Sequence, residues 1–355
     1  MTSVAITHDY LTQRGGGERV VLELLELWPR AQLATLAYDA ASTFPEFSSH
    51  DVRESVLGPL RGQTAMRASA PLYPLAFRAF GRFEQDLVIS SSSGWAHQVA
   101  TSPSTRHVVY MHTPARWVYA PRRYFGTGAK LALALPLTGV LRRVDRAAAR
   151  SADLFLCNSR NVQERVGRIY GVDARVVFPP VDTARFDTKP RGDRLLVLSR
   201  LFPYKRVELV VEAANRAGIG LDVVGAGPAL PELRELAGPT VTFHGRLDDT
   251  AVTELVEGCR ALVLPGTEEF GIVAVEANAA GKPVIAFAAG GALETQRDGV
   301  TAALFHEHTS AALLDAIARA DALETSPEEL AEHAERFSLP AFRDAIRASI
   351  EPLLG

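Results

Sequence analysis

The sequence predicts an α/β protein made of two doubly wound, Rossmann-like domains with parallel sheets. Short apolar runs alternate with helix-period segments almost from end to end, which is typical of parallel sheets covered on both faces. A proline-rich segment interrupts the alternation near the middle of the chain, and the alternation then restarts. The chain has 355 residues, whereas a single core rarely grows beyond about 300 residues. We therefore expect two such units in tandem, facing a central cleft.

The first half supplies five strand candidates and two clear helices. Apolar residues recur at helical spacing over Glu18–Trp28, which predicts an amphipathic helix there. A second predicted helix, Asn161–Tyr170, follows Ser159, a residue type that caps helix N-termini. The predicted strands are the short apolar runs Val4–Thr7, Leu87–Ser90, His107–Met111, Leu154–Cys157 and Val176–Phe178.

The segment 178–193 contains three prolines and mixed charge, and we interpret it as the inter-domain linker. The chain ends in an amphipathic helix, which we expect to cross back to the first domain. The prediction is an N-terminal domain at 1–182, completed by the helix 339–355, and a C-terminal domain at 183–338. Predicted strands of the second domain are Leu195–Leu198, Leu221–Val224, Val241–Phe243, Ala261–Leu264, Val284–Phe287 and Ala303–Phe305, and its predicted helices include Arg206–Arg216, Leu230–Ala237, Asp249–Glu257 and Ile272–Ala280.

The net charge of −3 hides an asymmetry between the two halves. Residues 1–185 carry 22 basic and 15 acidic residues, and the remainder carries 16 basic and 26 acidic residues. A basic first half suggests an anionic partner, such as a phosphorylated acceptor or an anionic membrane surface. Solvated arginine-rich helices are the equally weighted alternative. The basic residues are dispersed without an aromatic stacking platform, so we expect no nucleic-acid binding.

The sequence also bears on localisation, and it predicts a cytoplasmic protein. No signal-like segment precedes the first apolar run, and the two cysteines fit neither a metal spacing nor a disulfide framework. The longest uncharged, mostly apolar run, Leu131–Leu141, is too short to span a bilayer, which takes about 20 residues. Because Lys130, Arg142, Arg143 and Arg146 flank this run, it could rest on the inner face of the membrane, although a buried helix is the favoured interpretation.

Ligands of doubly wound sheets bind beyond the carboxyl ends of the strands, and two loops of the first half stand out there. The loop 8–18 follows the first strand and opens the first helix with Gly15, Gly16 and Gly17. Consecutive glycines at a helix N-terminus favour close contact between backbone N–H groups and an anion, with a flexible turn as the alternative. The second loop places His112 at a strand end, followed by Thr-Pro and by Arg116-Trp117.

Two loops of the second half carry charged side chains suited to a diphosphate and a sugar. Arg200 and Lys205 lie between the first strand and first helix of the second unit, where a diphosphate would meet a helix N-terminus. Glu268 and Glu276 lie eight positions apart, in a loop and on the helix that follows it. Two carboxylates at this spacing suit hydrogen bonds to different parts of one extended ligand. Surface ion pairs and compensation of the helix dipole are the structural alternatives.

The segment Gly225–Leu230 looks like the start of a nicotinamide-cofactor fingerprint, and we set that interpretation aside. Leu230 replaces the third glycine of the fingerprint, and Pro228 begins the helix. The next strand ends in Thr242-Phe243-His244, without an acidic residue placed to bind a ribose. A dehydrogenase is therefore not expected.

Taken together, these loops resemble the retaining glycosyltransferases of family 4, which have the two-Rossmann GT-B fold. The resemblance covers nearly the whole chain, and Glu268 and Glu276 match the E-x7-E motif of that family. It is closest to bacterial mannosyltransferases of polysaccharide assembly that use GDP-mannose. The segments that carry the resemblance are 8–19, His112-Thr113-Pro114, Cys157–Arg160, Pro179–Asp182, Ser199–Leu201 with Tyr204–Arg206, and Phe270–Val273.

The resemblance implies roles for individual residues. Arg200 and Lys205 would neutralise the donor diphosphate, which Gly16 and Gly17 would also contact. Glu268 would bind hydroxyls of the transferred sugar and Glu276 the ribose, while His112 would lie beside the sugar ring. These assignments make His112, Glu268, Arg200 and Lys205 the catalytic set. The implied donor-binding set also includes Gly245, Arg246, Leu247, Phe270, Gly271, Ile272 and Val273, and the acceptor-side set is Asp9, Tyr10, Arg116 and Trp117.

The expected activity is transfer of mannose from GDP-mannose to a hydroxyl of a glycan, a lipid-linked acceptor or a small molecule. No cofactor or metal is implied, and the sequence contains no Asp-x-Asp motif. A UDP- or ADP-sugar donor is the first alternative. A second is a nucleotide-sugar-binding protein without catalysis, which the presence of Arg200, Lys205, Glu268 and Glu276 disfavours. A GT-B phosphorylase would need a pyridoxal-bearing lysine, for which the sequence offers no clear candidate.

Overall fold

The protein, represented by a computed structural model, is described for residues 2–60, 63–122 and 129–354. Its internal contacts divide the chain into two units. Unit 1 runs to Pro180 and takes in the chain from Phe342 onward, and unit 2 is Val181–Ala341. The boundaries predicted from the sequence, 1–182 with 339–355 and 183–338, lie close to these limits.

Unit 1 is built on a sheet of seven parallel strands in the order β3-β2-β1-β5-β7-β8-β9. Two short strands, β4 and β6, pair separately. Every strand of the large sheet that lies between its edges is largely buried, as expected for a sheet covered on both faces. The strands are β1 Val4–His8, β2 Gln32–Thr35, β3 Val52–Glu54, β4 Arg82–Phe83, β5 Leu87–Ser92, β6 Ala100–Thr101, β7 Arg106–Met111, β8 Leu154–Cys157 and β9 Ala174–Val176.

Two features of this sheet differ from the sequence prediction. Strands β2 and β3 were not predicted, because they have only four and three residues and carry little apolar pattern. The predicted strand Val176–Phe178 is shifted by two residues from the observed strand β9, which begins at Ala174 and ends at Val176. At this sheet edge Arg175 faces solvent, so an apolar run no longer marks the paired residues. The prolines that follow, Pro179 and Pro180, lack the N–H that pairing needs.

Unit 2 contains a sheet of six parallel strands in the order β12-β11-β10-β13-β14-β15. All six strands were predicted, with ends that differ by at most two residues. The strands are β10 Leu195–Leu198, β11 Leu221–Val224, β12 Val241–Gly245, β13 Ala261–Leu264, β14 Val284–Phe287 and β15 Ala302–Phe305.

Helices cover the sheets of both units. Ser159 caps its helix as predicted, because its side chain accepts a hydrogen bond from the Val162 amide. The described helices are α1 Gly16–Leu27, α2 Gln63–Ser69, α3 Tyr73–Arg78, α4 Arg116–Tyr119, α5 Ala129–Ala149, α6 Arg160–Tyr170, α7 Val207–Ala217, α8 Leu230–Leu236, α9 Asp249–Gly258, α10 Ile272–Ala279, α11 Ala292–Thr295, α12 Ser310–Asp321, α13 Pro327–Ala334 and α14 Leu339–Leu354. Within these described ranges, none is both long and apolar enough to cross a bilayer.

The C-terminal helix α14 packs on unit 1, as predicted. Its buried residues Phe342, Ile346 and Ile350 recur every four positions and join the core beneath α1 and β1. The Phe342 ring meets Tyr110 of β7 edge to face at 5.9 Å, and Arg343 donates to the Glu23 carboxylate of α1 at 2.6 Å. The last residues of the chain therefore complete the N-terminal core.

In each sheet there is a point on either side of which successive strands are added in opposite directions. In unit 1 the order changes direction between β1 and β5, and in unit 2 it changes between β10 and β13. The loops that follow neighbouring strands diverge at such a point and leave a crevice in which ligands of doubly wound folds bind. Loops 9–15 and 93–95 flank this point in unit 1, and loops 199–202 and 265–271 flank it in unit 2.

Candidate functional site

At the carboxyl end of β1, Asp9 anchors the loop that follows β5. Asp9 is 2% exposed, and its carboxylate accepts hydrogen bonds from the backbone amides of Ser93, Trp95 (2.9 Å) and Ala96 (3.2 Å). Burial raises the pKa of Asp9, although His8 and the amides of Ser93 and Trp95 lower it. The structure thus shows that the carboxylate of Asp9, a predicted acceptor-side residue, is hydrogen-bonded to the loop that follows β5.

A chain of buried polar side chains joins the end of β1 to His112. His8 Nδ1 lies 3.0 Å from both the backbone oxygen and the hydroxyl of Ser91, and the same hydroxyl lies 2.8 Å from His112 Nε2. On the far side, His8 Nε2 is 3.8 Å from the Glu18 carboxylate. The parallel register places His8 opposite Ser91, which explains the first contact.

Gly17, one of the three consecutive glycines, lies directly against this chain. A Cβ at position 17 would be 3.4 Å from His8 Cε1 and 3.6 Å from His112 Nε2. The N-terminus of α1 therefore approaches both imidazoles closely, and a larger side chain would fill the space beside them. Gly16 begins the helix and is half-buried. The structure brings the predicted residues Gly17 and His112 together.

His112 is neutral in this environment. Burial, with a smaller contribution from His8, lowers the pKa of His112 to about 3. His107, on the strand β7 that precedes His112, also has its pKa lowered by burial, to about 4. His112 is 9% exposed and His107 is 2% exposed.

Sequence reasoning did not identify Ser91, although a signal was present. The strand β5 ends in three serines, an unusual composition for a fully buried strand. Each of them has an imidazole partner: Ser90 with His107 at 2.8 Å, Ser91 with His8 and His112, and Ser92 with His97 at 3.0 Å. These hydrogen bonds satisfy hydroxyls that would otherwise be buried without partners.

The other predicted acceptor-side residues lie on the surface of unit 1 near the same strand ends. Arg116 is exposed at the start of α4, and Trp117 is half-buried with its ring 6.0 Å from that of Trp95. Tyr10, also half-buried, packs on the same core cluster as Trp117.

In unit 2, the helical turn Pro203–Lys205, which follows the loop 199–202, and the loop 265–271 bring Lys205 and Glu268 together. Lys205 Nζ lies 2.5 Å from both carboxylate oxygens of Glu268. The Lys205 and Glu268 side chains are 12% and 20% exposed. A Cβ at Gly266 would lie 3.0 Å from the Lys205 Cα, so the two loops pack backbone against backbone.

Arg200 differs from Lys205 in being exposed. Its guanidinium lies 5.8 Å from the centre of the Phe202 ring. Arg206, which follows Lys205, has a φ of 58° and is the one non-glycine residue with positive φ in the described ranges. A left-handed conformation costs energy for a residue with a Cβ. Arg206 ends the short helical turn Pro203–Lys205 and precedes α7.

Glu276 lies on α10 and pairs with Arg185, which sequence reasoning had assigned only to the linker. Arg185 Nη2 is 3.4 Å from Glu276 Oε1, and the two side chains are 21% and 15% exposed. The guanidinium of Arg185 also lies 4.5 Å from the centre of the Phe186 ring. No sequence motif marks Arg185, because its partner is 91 positions away.

The remaining predicted donor-side residues lie at the carboxyl ends of β12 and β13. Gly245 has a φ of 69° at the end of β12, with Arg246 exposed and Leu247 half-buried after it. Phe270 is 3% exposed and its ring packs on Phe337, so its side chain belongs to the core. Gly271, Ile272 and Val273 are half-buried, with Gly271 in the left-handed conformation at the N-terminus of α10.

The glycines of the segment 225–230 have a structural role. A Cβ at Gly225 would lie 1.9 Å from the Ser199 oxygen, and one at Gly227 would lie 2.1 Å from the Leu201 oxygen. Backbone hydrogen bonds Ser199 N to Val224 O and Leu201 N to Ala226 O join the same segments. Glycine is therefore required because the loop after β10 rests on the loop after β11.

Two Rossmann-like domains with all-parallel sheets, carrying polar side chains at the strand ends, define the GT-B class of fold. Residues 14–185 match the model of the Glycosyltransferase Family 4 domain, and residues 182–337 match that of Glycosyl transferases group 1. The chain therefore contains these two glycosyltransferase domains in succession.

Among curated proteins, the chain is similar to D-inositol 3-phosphate glycosyltransferases of mycobacteria. It is 31% identical to that of Mycobacterium leprae (strain Br4923) over 237 residues, which is 58% of this chain and 55% of the relative. It is also 31% identical to that of Mycobacterium tuberculosis (strain ATCC 25177 / H37Ra) over 240 residues, 58% of this chain and 49% of the relative. The chain thus spans about half the length of these relatives.

Solved structures share the fold over the whole chain. HepE from Anabaena in complex with UDP and glucose has a TM-score of 0.73 and 20% identity, and the comparison covers 99% of this chain and 100% of HepE. Sucrose-phosphate synthase from Thermosynechococcus elongatus has a TM-score of 0.73 and 19% identity, with 99% of each chain covered. At these identities the similarity establishes the fold alone.

The buried neutral histidines predict how stability depends on pH. The unfolded chain protonates a histidine below about pH 6.5, whereas folded His107 stays neutral to about pH 4. The unfolded state then binds more protons, so the free energy of unfolding falls as pH decreases from about 6.5 to 4. Substituting His107→Gln should flatten this dependence by up to one proton, about 1.4 kcal/mol per pH unit.

Urea denaturation followed by tryptophan fluorescence measures this effect, because Trp28, Trp95 and Trp117 all lie in unit 1. The control is His306→Gln, which removes an exposed histidine and should leave the slope unchanged. Equal slopes for wild type and His107→Gln would contradict the prediction.

Proposed function

We propose that the protein is a retaining glycosyltransferase that moves a sugar from a nucleoside-diphosphate donor to a hydroxyl acceptor. The observation that carries the proposal is the meeting of Lys205 and Glu268 at the crevice of the unit 2 sheet. A cation for phosphate and a carboxylate for hydroxyls are thereby held at one point, where doubly wound folds bind ligands. The two matched glycosyltransferase domains support this assignment.

In the proposed donor complex, unit 2 binds each part of the nucleotide sugar. Arg200 and Lys205 neutralise the diphosphate, together with the N-terminus of α10 at Gly271–Val273. Glu268 accepts hydrogen bonds from hydroxyls of the transferred sugar, and Glu276, oriented by Arg185, accepts those of the ribose. The turn Gly245–Leu247 contacts the nucleobase. Phe270 contributes through the core packing that positions this loop.

Unit 1 contributes the remaining residues of the proposal. His112 lies beside the transferred sugar, and the amides of Gly16 and Gly17 at the N-terminus of α1 contact the diphosphate. Tyr10, Arg116 and Trp117 line the acceptor side. Asp9 acts on that side by holding the Ser93–Ala96 loop in place rather than by direct contact.

The chemical task is departure of the nucleoside diphosphate while positive charge develops at the anomeric carbon. Arg200, Lys205 and the helix N-termini stabilise the negative charge on the leaving oxygens, which is commonly the largest contribution to such catalysis. The acceptor hydroxyl attacks on the face from which the diphosphate leaves, and the leaving phosphate accepts its proton. This route retains the anomeric configuration, and the proposal assigns no step to a metal or cofactor.

The identity of the donor is the finer part of the proposal. The resemblance of the motifs to bacterial mannosyltransferases favours GDP-mannose. A UDP-sugar is the competing donor, since the structural neighbour HepE binds UDP and UDP-glucose. The acceptor hydroxyl belongs to a glycan, a lipid-linked molecule or a small molecule. A non-catalytic nucleotide-sugar-binding protein would need neither His112 nor the acceptor-side residues.

Thermal unfolding in the presence of GDP, UDP, ADP and their sugar conjugates distinguishes these donors. A ligand at about 100 times its dissociation constant should stabilise the protein by roughly 2.7 kcal/mol. We expect GDP and GDP-mannose to raise the melting temperature of the wild type but not of Arg200→Ala. Arg216→Ala, which removes an exposed arginine of unit 2, is the matched control and should respond like the wild type.

A shift with UDP alone would overturn GDP-mannose as donor and retain the enzyme class. The absence of any shift, together with no sugar transfer to glycan or lipid acceptors, would contradict the glycosyltransferase proposal. Inversion of the anomeric configuration, read by NMR of the product, would exclude the retaining route.

The ion pair of Lys205 and Glu268 predicts opposite effects on nucleotide binding and on transfer. Because both carboxylate oxygens hold Lys205, a diphosphate must compete with Glu268 for the ammonium group. Glu268→Gln removes the competing charge, so the nucleoside diphosphate should bind about five- to tenfold more tightly by calorimetry. The turnover number should fall at least about tenfold, because an amide accepts sugar hydroxyls less strongly than a carboxylate.

Glu269→Gln removes the same charge from the neighbouring position and serves as the control, with expected changes in both quantities below about threefold. Weaker nucleotide binding by Glu268→Gln than by the wild type would show that Glu268 does not compete for Lys205.

We also propose that helix α5 rests on an anionic membrane surface. The favoured expectation of a buried helix holds for one face only: Thr138 and Leu141 are buried, whereas Leu135, Leu137 and Val140 are 46%, 40% and 57% exposed. Arg143 is exposed beside them, whereas Arg142 is directed inward and donates to the Val118 oxygen. The side chains of 131–134 lie outside the described residues. An apolar surface next to a basic residue suits the interface of anionic lipids.

Flotation with vesicles of phosphatidylcholine and phosphatidylglycerol tests this contact. The wild type should float with the anionic vesicles, and Leu135→Asn/Val140→Asn should remain in the lower fraction, because apolar burial contributes roughly 1.5–3 kcal/mol per side chain. Leu236→Asn/Val300→Asn, which changes two exposed apolar residues of unit 2, is the control and should float normally. Failure of the wild type to float with anionic vesicles would overturn the proposed membrane contact of α5.

A further inference from the structure

We propose that Ser91 and His8 are positioning residues that hold His112 as the tautomer with its proton on Nδ1. This tautomer offers a hydrogen-bond donor to an oxygen of the transferred sugar. The role of His112 beside the sugar rests on the proposed function, whereas the tautomer follows from the hydrogen bonds within unit 1.

The direction of the first hydrogen bond is set by a backbone oxygen. His8 Nδ1 lies 3.0 Å from the Ser91 carbonyl oxygen, which can only accept. His8 Nδ1 therefore carries a proton, and this N–H also points to the Ser91 hydroxyl at 3.0 Å. The Glu18 carboxylate lies on the other side of the ring, 3.8 Å from His8 Nε2.

The hydroxyl of Ser91 links the protonation of His8 to that of His112. Because the hydroxyl oxygen receives the proton of His8 Nδ1, its own proton is directed to His112 Nε2, at 2.8 Å. His112 Nε2 therefore accepts, and in the neutral ring the proton lies on Nδ1. Ser91 is completely buried, so no water competes for its hydroxyl.

The surroundings of His112 support a neutral ring whose Nδ1 faces a ligand. Burial keeps the ring uncharged at physiological pH, as the pKa of about 3 indicates. Among the described residues, His112 Nδ1 has no hydrogen-bond partner, while Nε2 is held by Ser91. The backbone oxygen of His112 is fixed separately by Asn158, at 3.2 Å. The one ring nitrogen left for a substrate is therefore a donor.

The neighbouring serines provide an internal comparison. Ser92 is as buried as Ser91, and its hydroxyl also meets an imidazole, that of His97, at 3.0 Å. His97 pairs on its other side with Asp145, at 2.9 Å and completely buried, so this hydrogen bond belongs to the interior. Loss of either serine hydroxyl breaks a buried Ser–His bond, but only loss of Ser91 should change His112.

Two-dimensional NMR of the full chain labelled with 15N-histidine reads the tautomer directly. The His112 resonances are assigned by their loss in His112→Asn. We expect a protonated Nδ1 and an unprotonated Nε2 in the wild type, retained in Ser92→Ala, with both tautomers present in Ser91→Ala. A wild-type His112 protonated on Nε2 would overturn the proposal, and this measurement needs no enzymatic activity.

Steady-state kinetics then tests the consequence for transfer. Ser91→Ala should lower kcat about tenfold while the KM for the donor changes less than about twofold. The hydrogen bond from His112 to the sugar stabilises the transition state, in which charge develops on the sugar, more than it stabilises the bound donor. Ser92→Ala should retain kcat, and Ser91→Thr, which keeps a hydroxyl, should recover most of it. Equal losses of kcat in Ser91→Ala and Ser92→Ala would overturn the positioning role. An inactive wild type would contradict the proposed function, with the tautomer still decided by NMR.

Discussion

The constraint on which the site depends is that the strands of both sheets are covered on both faces. Such strands have room only for apolar side chains or for polar ones that are completely hydrogen-bonded. Polar groups able to meet a ligand are therefore confined to the carboxyl ends of the strands, where the loops diverge. His8, His112, Lys205 and Glu268 all lie at or just beyond such ends. Buried polar side chains also occur within the described strands, and the three serines of β5 are each paired with an imidazole.

The two units meet this constraint in different ways. Unit 1 places a chain of hydrogen-bonded side chains at its strand ends. Burial keeps His112 uncharged, and the hydrogen bond from Ser91 sets which ring nitrogen of His112 carries the proton. Unit 2 places full charges there, and they form the ion pairs Lys205–Glu268 and Arg185–Glu276. A half-buried ion pair of this kind is costly to leave unpaired. In the proposed donor complex, the phosphate and hydroxyl groups of the nucleotide sugar take the place of these partners.

Much of the fold was readable from the sequence because the signals involved are local. Apolar runs fixed the central strands of both sheets, and the four-residue recurrence of Phe342, Ile346 and Ile350 fixed the C-terminal helix. The strands β2 and β3 were missed because they are only four and three residues long, and β9 was misplaced because the exposed Arg175 at this sheet edge interrupts the apolar run. In the site, the loops were identified from glycines and charged residues at strand ends. Ser91 and Arg185, the partners of His112 and Glu276, were not identified.

The sequence by itself determined the two Rossmann-like domains and the loops that carry the chemistry, since strand and helix periodicity are properties of neighbouring residues. Only the tertiary structure decided what the side chains in those loops do. Asp9 holds a loop, Lys205 is paired with Glu268, and Arg185 with Glu276. These pairs join residues 63 to 91 positions apart. Such contacts arise from the order in which strands assemble into a sheet, and no local pattern records that order.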